Sequence, residues 1–148
     1  MSPTRIAVYV IATLVAVFGV VFAADALVES DEERLDELAV SIESARSGTR
    51  SERIAALAGD EPVAVVADRH RVWIDADEPE STLRAAIDDA LPELTDGATI
   101  VASESALTGQ RGRITMRLRE GRETPVDLVV ELALADHQFS LIEVRRMR

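Results

Sequence analysis

The sequence predicts an α+β domain behind an N-terminal membrane-spanning helix, with helices covering a curved antiparallel sheet. Three observations predict it. An uncharged run extends from Ile6 to Ala24, apolar residues recur at three- and four-residue steps through the first half of the rest, and strict alternation fills much of the last third.

The uncharged run holds nineteen residues, eleven of them Ile, Leu, Val or Phe. As a helix rising ~1.5 Å per residue it covers roughly 28 Å, against a hydrocarbon core of about 30 Å. Arg5 is the only basic residue before it, whereas Asp25, Glu29, Asp31, Glu32 and Glu33 follow it. Positive-inside bias therefore predicts residues 1–5 as a cytoplasmic tip, 6–24 as the span and 25–148 as one extracytoplasmic domain of a single-pass cell-membrane protein. A cleaved signal peptide is the alternative, with Val21-Phe22-Ala23 or Phe22-Ala23-Ala24 as the cleavage site and a secreted product. The apolar run exceeds the roughly 7–15 residues of that class, so an uncleaved anchor is expected. The chain contains no Cys, which leaves neither a disulfide nor a lipid-modified cysteine to support the outer domain.

The basic residues comprise 16 Arg and no Lys, against 27 acids, for a formal charge of -11. Such a field repels phosphates and excludes general nucleic-acid binding. The charge is uneven, with 21 acids and 7 Arg from Asp25 to Glu104 but 6 acids and 8 Arg from Ser105 to Arg148.

Ser30-x-x-Glu33 has the form of a capping box and opens an amphipathic helix whose Leu35, Leu38, Ala39, Ile42 and Ala45 share one face. Ser47-Gly48 interrupts it. Thr49-x-x-Glu52 starts a short second helix that puts Ile54, Leu57 and Ala58 inward and stops at Gly59. Val63–Ala67 and Arg71–Ile74 read as a hairpin across Asp68-Arg69-His70. Trp73, the only Trp, is expected to pack under a helix; a partner-facing position beside Arg71 is the alternative. Asp77 is expected to cap the next helix, which carries a first-turn proline and has Leu83, Ile87, Ala90 and Leu91 on its apolar face before Pro92 ends it. After Asp96-Gly97 comes a meander. Thr99–Ala106 is its first strand, and 108–112 a loop. Arg113–Arg119 alternates, with Ile114, Met116 and Leu118 on one face and Arg113, Thr115, Arg117 and Arg119 on the other. Val126 to Leu134 repeats the pattern, and Phe139 to Val144 closes the sheet with a one-residue shift in phase that marks a bulge.

This order, two helices, a hairpin, a helix and four antiparallel strands, resembles the cystatin-like folds of the nuclear transport factor 2-like superfamily over Ser30 to Arg148. The resemblance implies a cone in which the curved sheet wraps the helices. Members of that superfamily include enzymes with an Asp-His pair in the cone, small-molecule binders, and membrane-anchored envelope proteins with one N-terminal span; this chain looks like the last group.

Catalysis is not expected, because both His70 and His137 fall at hairpin turns rather than in a cone. Metal ligation is not expected either. Asp75, Asp77 and Glu78 lack an EF-type loop and read as a helix cap. No cofactor is implied. The candidate partner-binding residues are the arginine stripe Arg113, Arg117 and Arg119, with Arg145 beside it, and Trp73. Neutralisation of the stripe by Asp127 and Glu131 on the next strand is the competing reading. The expected function is an extracytoplasmic interaction or assembly module that binds another envelope protein or its own copy. Two alternatives stand beside it: a cone pocket for a lipidic or other small apolar ligand, and a pocket enzyme.

Overall fold

The computed structural model describes residues 9–20, 29–95 and 97–147. The chain divides into two compact units, Met1–Ser30 and Asp31–Arg148. In the first, residues 9–20 are helical and all exposed. Both ends of the Ile6–Ala24 run, and Arg5, lie outside the described residues. Among those described, no helix is long and apolar enough to cross a membrane.

The second unit runs α1 (Asp31–Glu43), a 3₁₀ turn (Ser47–Thr49), α2 (Arg50–Ala55), β1 (Val63–Ala67), β2 (His70–Ile74), α3 (Glu80–Ala90), a 3₁₀ turn (Pro92–Leu94), β3 (Thr99–Thr108), β4 (Arg111–Arg119), β5 (Val126–Ala135) and β6 (Gln138–Met147). This is the α+β order that the sequence predicts. The strands form one sheet in the order β2-β1-β6-β5-β4-β3. Every neighbouring pair is antiparallel except β1 and β6, which run parallel.

Three local expectations are corrected. The expected 108–112 loop shrinks to Gly109-Gln110, because Gly109 at φ 61° turns the chain within two residues and lets both strands continue. Thr49 does not cap α2 with its side chain; its hydroxyl, at the end of the 3₁₀ turn, donates to the Arg46 carbonyl at 2.9 Å. Asp77 does not cap α3 either. The Glu78 N–H donates to the Asp75 carbonyl at 3.1 Å, so Asp77 is taken up in a turn and Pro79 occupies the N-cap position.

The predicted phase shift in β6 is a bulge. Glu131 faces Glu143 and Leu132 faces Leu141, leaving Ile142 as the extra residue. A second bulge in β3 leaves out Val101 between Ile100 and Ala102.

The inner face of the sheet carries Ile114, Met116, Leu118, Leu128, Val130, Leu132 and Val144, all between 0% and 2% exposed, against Leu35 and Ile42 of α1, Ile54 of α2, and Leu83 and Ile87 of α3. Leu91 and Leu94 close the core beside the second 3₁₀ turn. At Gly112 α1 packs tightly on β4: a Cβ there would lie 3.0 Å from Leu35 Cδ1 and 3.0 Å from Phe139 Cε1. Arg50, Ser51 and Glu143 are the buried polar residues among those described, Arg50 at 9% exposure. Its Nη1 donates to the Ala98 carbonyl at 2.9 Å and its Nη2 to the Glu43 carbonyl at 3.4 Å, which ties the end of α1 to the approach of β3. Burial lowers its pKa from the ordinary guanidinium value, and the charge of Glu43 opposes that shift.

Candidate functional site

A cleft of about 580 Å³ opens where the β4–β5 turn meets the end of β6 and the second 3₁₀ turn. Its size lies inside the roughly 300–1,000 Å³ of small-molecule sites. Leu118, Pro125 and Val126 give it an apolar side, and Glu120, Arg122, Glu123 and Thr124 give it a polar rim. At its back Arg146 Nη2 donates to Glu93 Oε1, with side-chain exposures of 12% and 15%. Asp68 Oδ2 lies 3.7 Å from Arg146 Nη1 on the far side.

Glu93 is placed by Pro92, which starts the 3₁₀ turn, and by the fully buried Leu94 that follows it. Arg146 is placed by β6, where it shares the inward phase of Val144 and pairs with Leu128 across the sheet. Glu93 Oε2 and Arg146 Nε are buried and have no hydrogen-bond partner among the described residues. An unpaired acceptor and an unpaired donor side by side are costly, at roughly 1–3 kcal/mol each. Sequence reasoning passed over both residues. The signal was an arginine at an inward-phase strand position, two residues beyond a core valine.

The arginine stripe lies on the outer face, as its alternation requires, and the competing reading holds for two of its members. Arg113 Nη2 donates to Glu131 Oε1 at 2.9 Å. Arg117 grips Asp127 at both ends of its fork, Nε to Oδ1 at 2.8 Å and Nη2 to Oδ2 at 3.1 Å. Arg119 is exposed opposite Thr99. Arg145 faces Val129 rather than the stripe, and donates through Nε to Glu143 Oε1 at 2.7 Å, while Arg71 Nη2 donates to Glu143 Oε2 at 3.1 Å.

The Arg117 fork holds the Asp127 carboxyl below its ordinary value, the hydrogen bonds being the main cause and partial burial acting against them. The lowered native pKa makes the pair stabilising above the unfolded value of about 3.9, and that contribution is lost as pH falls through the native value. An NMR titration of the Asp127 carboxyl is therefore expected to show its midpoint rising towards about 3.9 in Arg117→Met. An unchanged midpoint would show that Arg117 is not the cause.

Trp73 does not pack under a helix. It is 56% exposed on the outer face of β2, the edge strand, opposite Ala64, and Arg71 lies over it with its Cζ 5.6 Å from the ring centroid. Alternation fixed its side of the sheet, and that side carries no helix at this edge.

Neither histidine lines the cleft. His70 is exposed at the start of β2. His137, at φ 59°, sits in the β5–β6 turn with Nδ1 3.0 Å from Asp31 Oδ1, an exposed pairing at the start of α1. Among the described residues, no group of three or more His, Asp or Glu side chains is placed to hold a metal ion.

No protein-family model matches the chain, and no curated protein matches it in sequence. Solved structures do. A candidate ketosteroid isomerase from Parabacteroides distasonis is 13% identical, with 80% of this chain and 87% of that chain covered, at a TM-score of 0.51. An NTF2 design with five substitutions is 10% identical, covering 80% of this chain and 100% of that one, at 0.54. An NTF2-like protein with a cystatin-like fold from Novosphingobium aromaticivorans is 14% identical, covering 78% and 80%, at 0.49. At these identities the likeness is one of fold alone, an NTF2-like arrangement of helices packed on a curved, largely antiparallel sheet.

Proposed function

We propose that the domain binds a small, partly apolar molecule in the cleft at the mouth of its cone, and that the N-terminal run tethers it to a membrane. The observation that carries the reading is the Glu93–Arg146 pair set behind the apolar wall of Leu118 and Val126. An aliphatic or aromatic body fits against that wall, and a polar end with both a donor and an acceptor matches the free Glu93 Oε2 and Arg146 Nε once the pair shifts to admit it. This departs from the lipidic ligand expected for an apolar cone, because the cleft is polar on one side. The lining holds no histidine or other conventional general base apart from carboxylates, three of which, Glu93, Glu120 and Glu123, stand around the cleft. The exposed helix at residues 9–20, with Tyr9 at 64% and Val20 at 69%, supports the tether, since so much apolar surface is stable in lipid and not in water.

The test is to recover the full chain from its own membranes in mild detergent and weigh it by native mass spectrometry. It is expected in the membrane pellet with a small-molecule adduct, and Thr124→Trp, which fills the cleft from an exposed rim position, is expected to lose about tenfold of that adduct. An adduct unaffected by Thr124→Trp would place binding elsewhere; recovery in the soluble fraction would remove the tether.

A further inference from the structure

The two edges of the sheet differ. Edge strands expose unpaired backbone groups and are ordinarily shielded by bulges, inserted charges or a covering element. The β3 edge has such shields: a bulge at Val101, Glu104, and α1 alongside with Ser105 Oγ donating to Asp36 Oδ1. At β2 there is no bulge and no proline, and Val72 at 51% and Trp73 at 56% are both open.

The β1–β2 loop has two residues, Asp68 at φ 53° and Arg69, with Ala67 facing His70. A two-residue hairpin makes its flanking pair a hydrogen-bonded one, and such pairs alternate along the ladder. His70, Val72 and Ile74 therefore spend their backbone groups on β1, and Arg71 and Trp73 direct theirs to the open edge. We infer that this edge pairs with β2 of a second copy of the chain, antiparallel, about a two-fold axis through Val72.

That register is selected by three features. It places Arg71 opposite Trp73 of the other copy, and Trp73 opposite its Arg71, so both pairs of free backbone groups meet. It engages all five residues of β2, and sets Val72 against Val72 on the other face. An axis through Arg71 would oppose two guanidiniums, which is repulsive. An axis through Trp73 would need Asp75, which already accepts from the Glu78 N–H in the following turn. The pairing is independent of the cleft, whose lining includes no residue of β2.

The chain has no cysteine, so a single introduced one reports without background. Val72 occupies a non-hydrogen-bonded pair across the axis, where Cα atoms sit about 4.5 Å apart, within disulfide range. The full chain carrying Val72→Cys, oxidised in native membranes, is expected to form about tenfold more covalent dimer than Val101→Cys on the shielded edge or Trp73→Cys, whose copies are offset by two residues. Trp73, the only tryptophan, is expected to shift its emission to the blue as the wild-type chain is concentrated in detergent. Three results would each overturn the pairing: no covalent dimer from the Val72→Cys chain, equal dimer from the Val72→Cys and Val101→Cys chains, or emission that does not change with concentration.

Discussion

Arg146→Ala is expected to destabilise the domain by about 3–5 kcal/mol, read as a lower urea midpoint at constant slope. The magnitude follows from what is left behind. Glu93 and Arg146 are each more than four-fifths buried, at 15% and 12% side-chain exposure, so removing the guanidinium strands a carboxylate in the protein with no counter-charge at bonding distance. Removing both charges is a different matter, because two desolvated ions recover much of their attraction only to offset their own dehydration. Arg146→Met combined with Glu93→Gln is therefore expected to regain most of the loss, while Thr124→Trp, which leaves the pair intact, stays near the wild type. If Arg146→Ala unfolds within about 0.5 kcal/mol of wild type, the pair is hydrated and the back of the cleft is not the low-dielectric site described.

Leu35→Ala is expected to cost about 2–5 kcal/mol. Leu35 is 1% exposed and packs α1 against Gly112 of β4. Gly112→Ala alone is expected to cost about 1–3 kcal/mol, since the new methyl would lie 3.0 Å from Leu35 Cδ1 and 3.0 Å from Phe139 Cε1. The double variant is expected to cost less than the two single losses added together. With Leu35 truncated, two of the three close approaches to position 112 disappear and the methyl takes up part of the space, leaving Phe139 as the remaining neighbour. Strict additivity in a double-mutant cycle would show that the two positions do not share a contact.

Much of this architecture is legible in the chain because local pattern and final packing agree. The alternation of Arg113 to Arg119 fixes which residues of β4 enter the core, and the steps from Leu35 to Ala45 fix the buried face of α1. The shifted phase at Ile142 reports a bulge directly. What escaped reading depends on distance along the chain. Periodicity put Trp73 on one side of β2 without revealing that no helix covers that edge. Glu93 and Arg146 are separated by 53 residues, and each has a bland local meaning, an acid after a helix-ending proline and a base near the end of a strand. Only the sheet order that carries β6 into the middle, alongside Leu128 and below the second 3₁₀ turn, makes them neighbours. The stripe was legible in position but not in state: Asp127 and Glu131 neutralise Arg117 and Arg113, and only the observed register decides that they meet.

The place of β6 between β1 and β5 also governs how the protein can be made. It leaves the ribosome after the other five strands, yet it is the piece that joins the early hairpin to the late meander. Until it emerges, the nascent chain holds two half-sheets, each with an apolar flank awaiting the same missing plank. Folding of the domain is thereby postponed to the end of its translation, and a chain stalled before residue 138 carries the hazard of sticking to its neighbours rather than a smaller version of the fold.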